Sequence, residues 1–291
     1  MLHRMLKTAA LALPALLLAS CGNGTVNGVY IAITDAPMDL ASSVNVSFSQ
    51  LRLTGPNVSP QTVIIAPASA VDLYQLQGGV AATFIAGLQV QPGHYTNLRV
   101  TVAADQNSAQ SNIFLPDGLH ILYVPSNVSP QVDIPVDFTI ASGGTVDLTM
   151  DFDLRKSIIQ DPNDPTKYQL IPSIRAVETE LTGSITGSVA TALVTCLSPA
   201  VYVYKGDVTP VDVDIDAPAS RLQPVSTALV GLNSTTGNYN FTASFLPPGE
   251  YTVAFTCEAT LDVANQANTL RFTSITKTTV QTGGTSFIAL Q

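Results

Sequence analysis

Few side chains in this sequence could do chemistry, and their spacing narrows what that chemistry would be. Beyond residue 20 only two histidines occur, His94 and His120, so a serine or cysteine nucleophile has at most two imidazole bases available. His94 follows Gln91-Pro92-Gly93 and reads as a solvated turn residue, while His120, in the apolar run Leu119–Val124, reads as an outward strand position. There is no Gly-x-Ser-x-Gly elbow, no His-Glu-x-x-His, no Cys-x-x-Cys and no glycine-rich phosphate loop. The acids offer more. Asp212, Asp214 and Asp216 alternate with Val211, Val213 and Ile215, so a strand would line all three along one face. Asp161-Pro162-Asn163-Asp164 is a polar turn, and Asp151 and Asp153 would share a strand face. Calcium takes about six to eight oxygens, which makes Asp212, Asp214, Asp216, Asp161 and Asp164 the candidates for such a site. None of them has the spacing of a calcium loop, and a solvated face, a charged strand edge or an Asx turn accounts for each. Two carboxylates facing across a cleft could also cleave a glycoside. Tyr202 and Tyr204 share one face of Ala200–Tyr204, opposite Val201 and Val203, and either pack in a core or form a stacking platform for sugars. The expectation is therefore no catalytic, cofactor or metal site.

The strongest signal lies at the start. Met1–Lys7 is short and basic, and the residues from Thr8 to Ser20 are uncharged and mostly apolar. Spanning a membrane takes roughly 18 or more such residues, so this stretch reads as a signal-peptide core. It ends in Leu18-Ala19-Ser20-Cys21, which resembles the bacterial lipoprotein box. That resemblance implies removal of residues 1–20, a diacylglycerol on the Cys21 sulfur and acylation of the new amino terminus. Gly22 in place of Asp implies the outer membrane, and residues 21–28 then form a lipidated flexible tether. More than one acyl chain makes a stable anchor. Processing takes Arg4 and Lys7 but no acid, so 12 basic residues fall to 10 against 21 acids, and the net charge moves from -9 to -11. Lipid, not charge, must hold such an acidic body at a membrane.

The elements that must position these residues are strands. Charged residues make up 11% of the 291 and hydrophobic residues 46%, which excludes a disordered chain and a long coiled coil. The acidic balance excludes a nucleic-acid partner. Val146–Leu154 alternates without a break, Leu98, Val100 and Val102 share a face, and so do Val44, Val46 and Phe48. After Phe48 the phase shifts to Leu51 and Leu53, as at a bulge. A short helix is expected near Val80–Ala86. Cys196 and Cys257 remain once Cys21 carries lipid, and an exported chain favours a disulfide between them.

Two phrases recur. Pro92-Gly93-His94-Tyr95 parallels Pro248-Gly249-Glu250-Tyr251, and Gly143-Gly144-Thr145 parallels Gly283-Gly284-Thr285. The first copy is longer, with the polar stretch Asp105–Asn112 as the expected insertion. The expectation is an all-β chain of two tandem Ig-like or transthyretin-like β-sandwiches, at residues 29–180 and 181–291, divided near Glu180.

Val29–Pro37, Val44–Leu53, Pro92–Tyr95 and Gly143–Lys156 together resemble a bacterial lipoprotein family known as domain of unknown function 4382, over roughly residues 26–178. Gly183–Gly187 and Leu246–Val253 resemble carboxypeptidase regulatory-like domains, which have a transthyretin-like sandwich. Neither resemblance implies catalytic residues. The leading expectation is a lipid-anchored, non-enzymatic envelope protein, structural or binding, whose partners are the membrane through Cys21 and an envelope protein or glycan. The alternatives are an envelope hydrolase or glycan-processing enzyme, and a glycan-binding surface module using Tyr202 and Tyr204.

Overall fold

A computed structural model describes residues 27–36 and 38–291; the expected leader, the expected lipidation position Cys21 and most of the expected tether lie outside them. The first part of the chain forms β1 (Gly28–Ala36), β2 (Ser43–Thr54), β3 (Gln61–Asp72), β4 (Ala82–Gln89), β5 (Gly93–Val102) and β6 (Asn112–Leu115). It continues with β7 (Gly118–Tyr123), β8 (Gln131–Ile140), β9 (Thr145–Asp153), the one-turn helix α1 (Leu154–Ser157), β10 (Ile158–Gln160), β11 (Lys167–Leu170) and β12 (Ile174–Glu178). The second part forms β13 (Gly183–Val189), β14 (Ala200–Lys205), β15 (Ser226–Leu229), β16 (Gly231–Leu232), β17 (Tyr239–Leu246), β18 (Gly249–Thr256), β19 (Phe272–Val280) and β20 (Thr285–Leu290).

These strands build two β-sandwiches. In the first, the sheet β12-β9-β1-β4 covers the sheet β10-β11-β7-β6-β2-β5-β8, with β3 added against β2. In the second, β16-β17-β13-β20 covers β15-β14-β18-β19. Among the described residues every strand pairing stays within one sandwich. Alternation places Ile31, Ile33, Met150 and Phe152 against Val46, Phe48, Leu51 and Val100 in one core, and Ile185 and Phe241 against Val203, Val253 and Phe255 in the other. The phase shift in β2 is a bulge. Pairing slips between Phe48 and Gln50 against both β3 and β5, so Phe48, Leu51 and Leu53 all reach the core.

The recurring phrases mark equivalent corners. β1 runs parallel to β9 and β13 runs parallel to β20, each pair entered from a Gly-Gly turn at Gly143-Gly144 or Gly283-Gly284. The longer first copy owes its length to residues 103–130, which carry the whole β6–β7 hairpin and not only the polar loop; the matching connection in the second sandwich is 257–271. Residues 80–86 are not helical. Val80 leads into β4, whose residues pair with β1, so the glycines at 78–79 and 87 punctuate a strand. Cys196 and Cys257 form a disulfide across 61 residues of chain. No helix among the described residues is long and apolar enough to cross a membrane.

Candidate functional site

The densest polar chemistry lies where the two sandwiches meet. Asp151, Asp153, Arg155 and Lys156 put four charges in six residues of a chain that is 11% charged. β9 ends at Asp153, whose carboxylate caps α1 by accepting the Lys156 N–H at 3.1 Å. That single turn points Arg155 and Lys156 at the second sandwich.

Each of three cations of the first sandwich is paired with one of its own acids and also donates to a carbonyl of the second. Arg155 binds Asp39 at 2.6 Å and donates to the Ala259 carbonyl at 3.1 Å. Lys156 lies 2.6 Å from Asp153 and donates to the Pro224 carbonyl at 2.6 Å. Arg175 pairs with Asp151 and donates to the Phe245 carbonyl at 2.7 Å. The Arg155 guanidinium also lies over the Tyr202 ring, 5.3 Å from its centroid, and the Tyr202 hydroxyl donates to Asp262 at 2.6 Å. Isolated charges could not be buried this way, but pairing and hydrogen bonding offset the desolvation. Burial opposes the charge on Arg155, yet its anionic neighbours, Asp39 among them, raise its pKa. Burial pushes Asp151 up, with Arg175 opposing, and it raises Asp35 strongly, reinforced by Asp151 and Asp153.

The residues singled out by spacing do not gather into one site. The segment 211–216 is a loop and not a strand; Asp212 and Asp214 are buried around Arg221, and Asp216 is exposed. Asp161 and Asp164 shape a turn in the first sandwich, where Asp161 accepts from the Tyr123 hydroxyl and the Asn163 N–H. His94 is in β5, not in a turn, and pairs with Asp137 at 2.6 Å. His120 is buried, not outward. Its ring faces Asp117 at 2.8 Å and the Thr166 carbonyl at 3.0 Å. Tyr202 and Tyr204 are fully buried beneath the loops 206–225 and 257–271, which removes them as a sugar platform. Sequence reasoning missed Asp35, Asp39, Arg155, Lys156 and Arg175; the local concentration of charge at 151–156 was the available signal.

A second concavity, of about 750 Å³, opens where β8 and β12 meet the Pro247-Pro248 turn. Phe138, Leu148 and Leu181 make its wall apolar, and Glu178 at its rim is raised by burial and by Asp137.

A family model described as a domain of unknown function, DUF4382, matches residues 26–172, just over half the chain. The chain belongs to the DUF4382 family. Most of the seam lies inside that match: Asp35, Asp39, Asp151, Asp153, Arg155 and Lys156 are DUF4382 residues, whereas Arg175, Tyr202 and Asp262 follow it. Among curated proteins none matches the chain. Among solved structures, the Bacillus anthracis TIE protein aligns with 91% of this chain at 12% identity and a TM-score of 0.21, and the chain spans 33% of that protein. The minor pilin GBS52 of Streptococcus agalactiae aligns at 11% identity and a TM-score of 0.19, covering 89% of this chain and 93% of its own. The major pilin of Streptococcus pyogenes gives 10% identity and a TM-score of 0.17, covering 89% and 98%. Likeness at this level carries no argument about role.

Proposed function

We propose that this DUF4382 protein is a lipid-anchored component of the bacterial cell envelope, held at the outer membrane through Cys21, and that it works as a structural or binding module without catalysis. The seam carries the reading. Three ion pairs of one sandwich, each with a buried acid, donate to carbonyls of the other and so tie the two bodies together at three points. Of the acids that spacing singled out, Asp212 is paired with Arg221 and Asp161 accepts from the Tyr123 hydroxyl. The leader, the Leu-Ala-Ser-Cys sequence and the disulfide all support export to an oxidising compartment.

Fractionation tests the anchor. The wild-type protein should sediment with the outer membrane and incorporate labelled fatty acid, while Cys21→Ala should do neither. A Cys21→Ala protein bound to membranes as tightly as wild type would sink the reading. Turnover in an ester, peptide and glycan substrate screen that is lost on mutating a single acid would replace the module with an enzyme.

A further inference from the structure

Along the seam Asp39 pairs with Arg155, Asp153 with Lys156 and Asp151 with Arg175, which leaves Asp35 as the odd carboxylate. Asp35 is 6% exposed, and its Oδ1 receives the Leu154 N–H at a long 3.4 Å while its Oδ2 has no hydrogen-bond partner. The Oδ1 of Asp151, on the far side of that carboxylate from Arg175, has none either. Across the interface Thr227, 2% exposed, also holds an Oγ1 without a partner. Asp35, Asp151 and Thr227 line one cavity, together with Ser244 and the Gly78-Gly79 turn. Its volume is about 10 Å³, the room that one water-sized sphere needs. The wall is close on the glycine side. A Cβ on Gly79 would come within 2.5 Å of the Ser244 Oγ.

We propose that Asp35, Asp151 and Thr227 bind a single calcium ion that clasps the two sandwiches together. Ionised carboxylate oxygens accept but cannot donate, so the two unpartnered oxygens of Asp35 and Asp151 in the wall of this cavity call for a proton or a cation beside them, and the cavity has room for the cation. The available ligands are all oxygen, which selects a hard cation over zinc or copper. The cavity has no room for the waters that magnesium keeps, whereas calcium sheds its shell and accepts irregular oxygen sets. The uncharged Thr227 hydroxyl, from the opposite sandwich, turns a pair of acids into a bridge between domains. Among the described residues no three His, Cys, Asp or Glu side chains form a metal set; the ion would complete its two carboxylates with hydroxyls of the lining residues, Thr227 and Ser244 first among them. This is a different place from the acids 161, 164, 212, 214 and 216.

Thermal unfolding of the purified full chain, after chelation and then with millimolar calcium, magnesium or sodium, provides the test. Calcium should raise Tm by about 5 °C, a shift that an ion at saturating excess gives in a chain of this size. Equilibrium dialysis should retain one calcium per chain. Asp35→Asn keeps the volume and removes the charge, so after chelation it should melt above wild type and in calcium below it. Thr227→Val keeps shape and charge, and it should raise the half-saturating calcium concentration at least about tenfold. A Tm indifferent to calcium overturns the proposal, as does a response to sodium alone. So does Asp35→Asn melting above wild type in both conditions, which would make Asp35 a protonated or water-bound acid. Equal calcium responses of Asp35→Asn and wild type would place the ion elsewhere and also overturn it.

Discussion

Tyr95 and Tyr251 occupy the same corner of two successive sandwiches. The Tyr95 hydroxyl donates to the Gln91 carbonyl at 2.8 Å and the Tyr251 hydroxyl to the Pro247 carbonyl at 2.6 Å, each reaching back four residues. Both rings are buried, and both strands open on a glycine at positive φ, Gly93 and Gly249. The arrangement is a tyrosine corner, which ties the strand to the turn before it.

Removing either hydroxyl leaves a carbonyl to find water and costs about 1 kcal/mol. Tyr95→Phe and Tyr251→Phe should each lower the unfolding free energy by that amount, read as a lower urea midpoint with the slope of the transition unchanged. No loss in either variant would mean that the bond exchanges evenly with water.

Arg155 should be the most sensitive residue of the seam. Arg155→Met leaves Asp39 buried without its partner, and breaking a buried pair in this way costs about 3–5 kcal/mol. Arg155→Lys should recover only part of this, because an ammonium cannot serve Asp39 and the Ala259 carbonyl with a flat group stacked on Tyr202. Calorimetry of Arg155→Met should show one cooperative transition splitting into two as the sandwiches uncouple. A single unshifted transition would remove the seam as the joint.

The disulfide closes 61 residues of the second sandwich, and on the chain-entropy model reduction costs about 4 kcal/mol. Cys196→Ser with Cys257→Ser should lower the unfolding free energy by that amount, and when combined with Arg155→Met, where the sandwiches uncouple, the loss should fall on the second sandwich's transition and not on the first's. Non-reducing mass mapping should recover both cysteines in one linked peptide.

His120 gives the fold a pH dependence with a definite sign. Hydrogen bonding to Asp117, against the opposing effect of burial and with help from the Thr166 carbonyl, raises its pKa. A raised histidine contributes stability that is fully present below its unfolded value of about 6.5 and lost as pH rises through the folded value. Unfolding free energy should therefore fall across that window, and His120→Gln should flatten the slope there. Asp117 is solvent-exposed, so added salt should shrink the effect. A slope unchanged in His120→Gln would assign the titration elsewhere.

Period-two alternation made the strands readable, and the break after Phe48 showed the bulge, because a one-residue slip moves every later side chain to the opposite face. The same logic failed where a strand's second face is also covered. Tyr202 and Tyr204 read as a face open to sugar or core, and loops 206–225 and 257–271 decide for burial. Asp212, Asp214 and Asp216 mimic a strand in spacing but lie in one of those loops, where Arg221 gathers the first two. Residues 80–86 looked helical because glycines bracket them, yet β1 offered a free edge for β4 to pair with.

Local signals settled the strand identities, the repeated Pro-Gly…Tyr corners, the cysteine pair and the membership of DUF4382, since each depends on residues near in sequence or unique in type. The seam is another matter. Asp35, Asp39, Asp151, Arg155, Arg175 and Thr227 are scattered over some two hundred positions, and nothing in their spacing shows that they meet. Only the docking of one sandwich on the other decided that, because the worth of a buried charge depends on which oxygens and cations surround it in three dimensions.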